Sequence, residues 1–323
     1  MYSKLRPGYT VHRPTVDNIP AILTVMHELD IAETGETDEY FPDDILADWQ
    51  DLDLQTDTWV VRAPDGLLCG YATLTKGETG RMVADGYVHP SHYGCGIGTT
   101  LIEAMEARAT EVAAAAQVGE RQVLVNNIIA SSVASRALLE TRGYALTRVF
   151  FRMHITLDVT PPSPLWPEGI SVRVCDGSPE DIYRAYETIE EGFQDHWEHT
   201  PRSFEDWQRR MVREEFDPTL WFFAQANDEI AGAALCRVRE AGRGWIDQVA
   251  VRRPWRKQGL GMALLQQAFG AFYQLGIPRV GLGVDGQSLT GAQRLYERAG
   301  MQVTMHIGTY EKELCPGKDL SVG

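Results

Sequence analysis

The sequence predicts an α/β fold made of two tandem copies of one domain, each with a mixed sheet. Similar strand, hairpin and helix patterns recur with a period of about 160 residues. Each half contains an apolar strand that leads into a glycine turn and a helix. A proline-rich stretch, Pro161–Gly169, separates the halves. We therefore expect an N-terminal domain over residues 1–160 and a C-terminal domain over residues 161–323.

The two copies share the order of their elements. Each opens with a strand, a turn and the start of a helix, and continues with two apolar runs around a turn, which predict a β-hairpin. These elements cover Val11–Ile22 and 58–73 in the first half, and Ser171–Ile182 and 220–237 in the second. In the second half, Ser178 can cap the helix and Pro179 suits its first position. Both halves then end with a strand, a helix and a final strand.

The composition indicates a globular protein and excludes several partners. The apolar content of 44% and the charged content of 23% are ordinary for a globular domain. There is no apolar run long enough to span a bilayer, and the first residues lack the apolar core of a secretory signal. The formal charge of −15 disfavours nucleic acid and anionic membranes. We expect a cytoplasmic protein.

The cysteines and histidines predict neither a disulfide framework nor a metal site. The five cysteines are scattered, odd in number and free of Cys-x-x-Cys spacing (Cys69, Cys95, Cys175, Cys236, Cys315). This pattern favours a reducing compartment. The eight histidines show no ligand spacing on one helix.

The glycine turn of the second half, within Val249–Ala263, is the strongest functional signal. Gly259 and Gly261 permit close approach of a ligand to the backbone because neither has a Cβ. The first amides of the helix that follows favour an anion, as does the helix dipole. Arg256 and Lys257 add positive charge. The stretch predicts a diphosphate-binding cradle.

Two segments resemble the GNAT superfamily of acetyl-CoA-dependent N-acetyltransferases. Arg256–Gly261 matches the (Arg/Gln)-x-x-Gly-x-(Gly/Ala) signature, and Arg294–Met301 is similar to the closing segment of the family. The resemblance implies a splayed central sheet with pantetheine between two parallel strands. The cofactor-binding residues implied in this way are Val249, Ala250, Val251, Arg256, Lys257, Gln258, Gly259, Leu260, Gly261, Met262 and Ser288. The glycines do not fit a dinucleotide-binding turn, which needs Gly-x-Gly-x-x-Gly.

The same resemblance implies a catalytic role for Tyr296, the position at which the family has a general acid near the CoA sulfur. A phenol can donate a proton to a thiolate as it leaves. The alternative is that Tyr296 is an ordinary helix residue that covers the core.

Asp247 is the candidate general base or amine anchor, since many family members have a Glu on this strand. Alternation along the strand places Trp245, Asp247, Val249 and Val251 on one face. A carboxylate in a buried strand is costly unless it is paired or used. The alternative is that Asp247 binds neighbouring backbone or an arginine.

The segment over residues 190–207 corresponds to the helix–loop–helix that forms the acceptor side of the cleft in the family. Its acidic, histidine and tryptophan residues would suit a cationic or aromatic acceptor, and Asp195 and His196 are further candidates, His196 as an alternative base. The alternative is that its aromatic residues form the core of two short amphipathic helices, which we expect of most of them.

The first copy departs from the family pattern at two positions. Tyr93 stands where the second copy has Arg256, and Leu139 stands where it has Tyr296. Gly94, Gly96 and Gly98 remain, so the first copy is either structural or a non-catalytic CoA binder. We expect it to be structural.

The resemblance therefore implies an N-acetyltransferase that moves an acetyl group from acetyl-CoA to a primary amine of a small molecule, without a metal, in its second domain. The tandem organisation is similar to that of mycothiol synthases, so an enzyme acting on a sugar–thiol conjugate is an alternative. A CoA-binding sensor or scaffold without turnover is a third hypothesis.

Overall fold

The computed structural model describes residues 4–35, 40–77, 79–116, 119–197, 201–213, 216–239, 242–288 and 291–319. The chain forms two compact units: unit 1 comprises Met1–Val149 with Met305–Gly323, and unit 2 comprises Phe150–Thr304. Both units mix helices with a sheet, which confirms the predicted α/β class. The boundary of the sequence repeats at residue 160 stays a prediction, because the compact units divide the chain within two strands.

Both units contain strands and helices in a similar order along the chain. Unit 1 contains β1 (Thr10–His12), α1 (Ile19–Thr34), α2 (Pro42–Gln50), β2 (Thr58–Arg62), β3 (Leu68–Lys76), β4 (Arg81–Val88), α3 (Ile97–Ala114), β5 (Gln122–Ile129), α4 (Val133–Thr141) and the start of β6 (Ala145–Thr156). Unit 2 continues with β7 (Ile170–Val174), α5 (Pro179–Phe193), α6 (Phe204–Met211), β8 (Trp221–Ala226), β9 (Glu229–Arg239), β10 (Arg243–Val251), α7 (Leu260–Gln274), β11 (Arg279–Asp285), α8 (Ala292–Arg298) and the start of β12 (Gln302–Cys315).

The sheets of the two units follow the same plan. Unit 1 has the order β1-β2-β3-β4-β5-β12, and unit 2 has the order β7-β8-β9-β10-β11-β6. In unit 1 the end of β12 pairs with β5, and in unit 2 the end of β6 pairs with β11. The final strand of each repeat therefore completes its sheet in the unit formed mainly by the other repeat.

One parallel pair of strands parts in each sheet. β4 pairs with β5 only from Arg81 to Val83, and β10 pairs with β11 only from Gly244 to Ile246. Each first strand then runs on, β4 to Val88 and β10 to Val251, while its pairing with the antiparallel neighbour continues. This geometry agrees with the splayed sheet that the resemblance implies.

Helices cover both faces of each sheet, because each helix has one apolar face to bury. In unit 2, α7 buries Leu264, Phe269 and Phe272 against one face, and α5 and α6 bury Ile189 and Trp207 against the other. In unit 1, α3 covers one face and α1 with α2 covers the other.

Local sequence signals explain the predicted starts and turns. The Ser178 hydroxyl accepts the amide of Asp181 at 3.2 Å, and Pro179 is the first residue of α5, as predicted. β2 with β3 and β8 with β9 form the two predicted antiparallel hairpins. Across the described ranges, the helices are too short or too polar to cross a membrane.

Candidate active site

A β-bulge at Asp247 shapes the strand that borders the parted region of unit 2. Ile246 pairs with Cys236 and Gln248 with Leu235, so Asp247 is the extra residue on β10. A bulge breaks the alternation of side chains, so residues on either side of it need not keep a common parity.

The expectation that Trp245, Asp247, Val249 and Val251 share one face is therefore wrong. A Cβ added to Gly244 would lie 2.8 Å from Phe272 of α7, so Gly244 faces α7 and Trp245 faces away from it. Val249 and Val251, beyond the bulge, pack against the core on the α7 side. The prediction assumed that side chains alternate through residue 247, where the bulge adds one residue to β10.

Asp247 forms an ion pair with an arginine. Its Oδ1 accepts Nη2 of Arg237 at 2.6 Å, and 10% of its side chain is exposed. Burial raises the pKa of Asp247, although the charge of Arg237 opposes this. Nε of Arg237 is buried and has no hydrogen-bond partner within the described part of the chain. The contact agrees with the alternative of an arginine partner, and the role as base or amine anchor stays a prediction.

The glycine turn after β10 presents exposed backbone at the start of α7. Gly259 is the N-cap residue, in the left-handed region at φ 92°, and Lys257 lies there as well at φ 62°. The amides of Met262 and Ala263 donate to the Gly259 carbonyl at 3.0 and 3.1 Å. The amides of residues 259–261 therefore precede the hydrogen-bonded ladder of the helix. Such amides, beside an exposed lysine, suit an anionic ligand.

The other predicted residues of the turn hold its shape. The Gln258 side chain donates to the Pro254 carbonyl at 3.1 Å within the turn. Leu260 is buried in the core, and Met262 is half-buried. The Leu260 side chain therefore anchors the start of α7 in the core, whereas the exposed groups are at residues 257–259.

The Arg256 guanidinium connects the glycine turn to the end of α5. It donates to the Val251 carbonyl at 3.0 Å, the Gly192 carbonyl at 3.1 Å and the Asp195 carboxylate at 2.7 Å. Arg253 donates to the same carboxylate at 2.5 Å. The two guanidinium groups lower the pKa of Asp195 to about 2. Sequence reasoning missed this contact because nothing local to Arg256 identifies a partner so distant along the chain.

Helix α8 packs directly on the glycine turn. A Cβ added to Gly261 would lie 3.0 Å from Cδ2 of Leu295, so this glycine permits the close approach of α8 to α7. Tyr296 follows on α8, is 9% exposed and belongs to the same core cluster as Leu260. Burial raises the pKa of Tyr296 to about 12. Ser288 lies in the turn after β11, where its amide donates to the Asp285 carbonyl at 3.1 Å.

The aromatic residues of the predicted acceptor segment are mostly core, as expected. Trp207 is 1% exposed, and Phe193 and Phe204 pack on the same cluster. The ring of His196 stacks on Phe193 with ring centroids 4.2 Å apart. Glu198 and His199, also in this segment, lie outside the described residues.

The glycine turn of unit 1 has a backbone conformation similar to that of unit 2, but another segment of the chain packs against it. Gly94 and Gly96 have φ of 73° and 83°. A Cβ added to Gly96 would overlap the carbonyl oxygen of Lys4, and the amide of Arg6 donates to the Cys95 carbonyl at 3.1 Å. The chain near its N-terminus thus packs on this turn.

The two positions at which the first copy departs from the family pattern differ in exposure. Tyr93 is 48% exposed, whereas Leu139 is 3% exposed in the core. Leu139 therefore serves packing at the position where unit 2 has Tyr296.

Comparison with known proteins agrees with this geometry. The sequence matches the Acetyltransferase (GNAT) family twice, over residues 23–144 and 180–301. It is 31% identical over 255 residues to a "Mycothiol acetyltransferase" of Kineococcus radiotolerans, covering 75% of this chain and 77% of that protein. A protein of the same name from Streptomyces scabiei is 30% identical over 252 residues, covering 76% of this chain and 75% of that protein.

Solved structures give the same result. A GCN5-related N-acetyltransferase from Sphaerobacter thermophilus is 37% identical, with a TM-score of 0.83 over 99% of this chain and 100% of that chain. A tandem GNAT protein from the clavulanic acid biosynthesis pathway is 15% identical with a TM-score of 0.72, over 96% of this chain and 100% of that chain, and shares the fold. The chain therefore belongs to the GNAT acetyltransferase family, matches it once in each half, and is an acyltransferase.

Proposed function

We propose that unit 2 transfers an acetyl group from acetyl-CoA to a primary amine of a small molecule by direct attack. The observation that carries this proposal is the contact at Gly261, where the exposed glycine turn of α7 meets α8 with Tyr296. In this proposal, the cradle for the diphosphate and the proton donor for the thiol lie on two helices, α7 and α8, that pack against each other.

In this proposal the cofactor lies along the parted edge of β10. The amides of residues 259–261 and the Lys257 ammonium bind the diphosphate. The backbone of Val249, Ala250 and Val251, whose pairing on the β11 side has ended, binds pantetheine as an added strand. Ser288 is a further polar contact from the end of β11, and Arg256 shapes the turn.

The reaction follows from these positions. The neutral amine attacks the thioester carbonyl carbon, and a backbone amide of β10 stabilises the oxygen that becomes negative. The carbon–sulfur bond then breaks, and the leaving sulfur receives the proton of the Tyr296 hydroxyl. The nitrogen loses one proton as the amide forms, and a proton from solvent restores the phenol of Tyr296. Since its pKa is about 12, this phenol stays protonated at any practical assay pH. Asp247 removes a proton from the attacking ammonium or holds it in place, and Arg237 orients the carboxylate.

Two other functions remain as alternatives. The relatives named mycothiol acetyltransferase favour an acceptor amine on a sugar–thiol conjugate. A CoA-binding sensor without turnover would use the same glycine turn without needing Tyr296.

The proposal is tested by calorimetry with acetyl-CoA, followed by CoA release in the presence of a panel of amines. We expect one acetyl-CoA site, lost in Lys257→Glu and kept in the matched unit 1 variant Gly94→Glu. We expect CoA to be released only when an amine is present, and the acetylated amine to be detected by mass spectrometry. Binding without transfer to any amine, sugar–thiol conjugates included, would favour the sensor, and absence of binding would refute the proposal.

A further inference from the structure

A cleft with an open floor lies on the face of the unit 2 sheet opposite α7. Its floor is Gly283 on β11. Leu282 and Val284 belong to the core on the α7 side, so Gly283, between them, faces the other side. Gly283 is exposed, and a Cβ added to it would meet no described atom within 4 Å. A glycine inside a strand weakens the sheet, and it often marks a place where a ligand approaches closely.

This floor lies at the point where β10 and β11 part. The ladder between the two strands ends one residue before Asp247 on β10 and one residue before Gly283 on β11. The Asp247 carboxylate lies on the same face as the floor. Its partner Arg237 is two residues from Leu235, whose side chain packs on the α5 side of the sheet. The candidate base or amine anchor therefore borders the open floor.

One wall of the cleft is the ring of Trp245. Trp245 pairs with Gly281, which in turn pairs with His154 on β6. A Cβ added to Gly281 would lie 2.7 Å from Cζ3 of Trp245 and 2.6 Å from the His154 ring, so both rings lie over this glycine. The two rings meet edge-on, with centroids 6.3 Å apart. The contact with His154 thus uses an edge of the rings and leaves the indole faces for other partners.

Arg239 covers one of these indole faces. Its guanidinium carbon lies 3.7 Å from the centroid of the Trp245 ring. Arg239 pairs with Arg243, which precedes Trp245 on β10, so it covers the face turned away from the floor. The opposite face is turned towards Gly283, and no other ring or cation of the described residues stacks on it.

The opposite wall is a second aromatic pair. Phe150 pairs with Asp285, two residues beyond Gly283 on β11, and its ring lies against the Trp197 ring with centroids 6.4 Å apart. The rings of Phe150, Trp197 and Trp245 are half-buried, and none of them belongs to the core clusters of unit 2. These rings therefore line the cleft instead of filling the core.

The polar groups around the floor already have partners. Asp247 accepts a hydrogen bond from Arg237, and Arg239 lies on the indole. Nδ1 of His154 lies 2.7 Å from Oγ1 of Thr304. A ligand with many hydroxyls would lose hydrogen bonds to water here and find few replacements, which costs free energy for each hydroxyl. A planar apolar ring loses none and gains contact with aromatic faces. The cleft therefore favours an aromatic ring over a sugar.

We propose that the amine acceptor of unit 2 carries an aromatic ring, which lies on Gly283 against the indole of Trp245. The proposal rests on the acetyl transfer proposed for unit 2 and adds the chemical class of the acceptor. The ring stacks on the open face of the indole. A short alkyl chain then leads the nitrogen past Asp247 to the end of β10, where the thioester lies in the proposed reaction.

Phenethylamine and 2-cyclohexylethylamine test the proposal with acetyl-CoA and the full chain. Both are primary amines on the same two-carbon chain, and only phenethylamine has an aromatic ring. We expect kcat/KM for phenethylamine to exceed that for 2-cyclohexylethylamine about threefold to tenfold, and that for glucosamine at least about tenfold. Trp245→Leu should abolish the preference for phenethylamine over 2-cyclohexylethylamine, because leucine keeps an apolar wall without a ring face. A higher kcat/KM for glucosamine, or an unchanged preference in Trp245→Leu, would overturn the proposal.

Gly283→Val tests the floor independently. Its side chain enters open space, so thermal unfolding should stay as in the wild type, whereas KM for phenethylamine should rise at least about tenfold. Acetyl-CoA affinity by calorimetry should change less than about twofold. Gly270→Ala is the control, because a Cβ at this glycine of α7 also meets no described atom within 4 Å, and it should leave both quantities unchanged. An unchanged KM in Gly283→Val, or a loss of acetyl-CoA affinity in its place, would contradict the proposal.

Binding of the amine separates this proposal from the proposed transfer. Phenethylamine should bind the complex of the chain with CoA more tightly than 2-cyclohexylethylamine, by calorimetry, whether or not acetyl transfer follows. Binding with this preference but without acetylated phenethylamine would refute the transfer and support the ring site. Transfer to other amines without this preference would refute the ring site alone.

Discussion

The two glycine turns share one backbone motif and differ in what lies on them. In unit 1, Gly96 packs against the Lys4 carbonyl, and the adjacent Cys95 carbonyl accepts a backbone amide. In unit 2, a Cβ added to Gly259 would meet no described atom within 4 Å. The same lack of a side chain thus permits packing of the chain in unit 1, whereas in unit 2 it leaves backbone exposed for a ligand. A glycine motif is therefore informative about binding only together with the atoms that surround it.

The largest expected effect comes from Tyr296 on α8, where α4 of unit 1 has Leu139. Tyr296→Phe should lower kcat about 10²- to 10³-fold, because the leaving sulfur loses its proton donor. Acetyl-CoA affinity should change by less than about twofold, since the phenyl ring still fills the core. Steady-state kinetics and calorimetry measure the two quantities. Tyr273→Phe, on α7 of the same unit, is the control and should leave kcat unchanged; a similar kcat in the two variants would assign Tyr296 to packing alone.

Substitution of the two turn glycines, Gly96 and Gly259, should affect stability and cofactor affinity to different extents. Gly96→Ala should lower the free energy of unfolding by about 2–4 kcal/mol, because its φ of 83° is unfavourable and the Cβ overlaps the Lys4 carbonyl. Gly259→Ala has only the unfavourable φ of 92° and should cost about 1–2 kcal/mol. Acetyl-CoA affinity should fall at least about tenfold in Gly259→Ala and stay constant in Gly96→Ala. Urea denaturation and calorimetry measure both, and equal loss of affinity would mean that both turns bind the cofactor.

Asp85 on β4 of unit 1 gives a smaller effect, on the pH dependence of stability, because burial and the nearby charge of Asp48 raise its pKa. The folded chain holds a proton on Asp85 with a pKa of about 6, above its usual 3.8, so stability is lost as the pH rises between these values. Asp85→Asn should therefore raise the free energy of unfolding at pH 7 by about 1 kcal/mol, since solvent screens this half-buried group, and have little effect at pH 4. Thermal unfolding at both pH values checks this. Equal stabilisation by Asp43→Asn would show a general charge effect instead.

Local pattern was sufficient for the elements of both units. The hairpins, the cap at Ser178 and the helix that follows Gly259 each depend on residues near one another in the sequence, so they could be predicted. The bulge at Asp247 could not, because the two-to-one pairing with β9 leaves no mark in the alternation of apolar residues.

Contacts between residues far apart in the chain could not be predicted from the sequence either. The Arg256–Asp195 ion pair and the packing of Lys4 on Gly96 join residues far apart in the chain. The same limit applies to the ends of β6 and β12, which pair in the unit made mainly by the other repeat. Periodicity gives the face of an element but not its partner, and the roles of the site residues depend on their partners.

The smallest expected effect concerns Lys257, which stands in the left-handed region where unit 1 has Gly94. A lysine there carries about 1 kcal/mol of strain, and strain of this kind is retained where a side chain is needed. Lys257→Gly should therefore raise the free energy of unfolding by about 0.5 kcal/mol, since the greater freedom of glycine in the unfolded chain offsets part of the relief. Its acetyl-CoA affinity should fall about threefold to tenfold and become less sensitive to salt. Lys257→Ala keeps the strain and loses the charge, so it should lose the same affinity without gaining stability; undiminished affinity in both variants would mean that the ammonium does not contact the diphosphate.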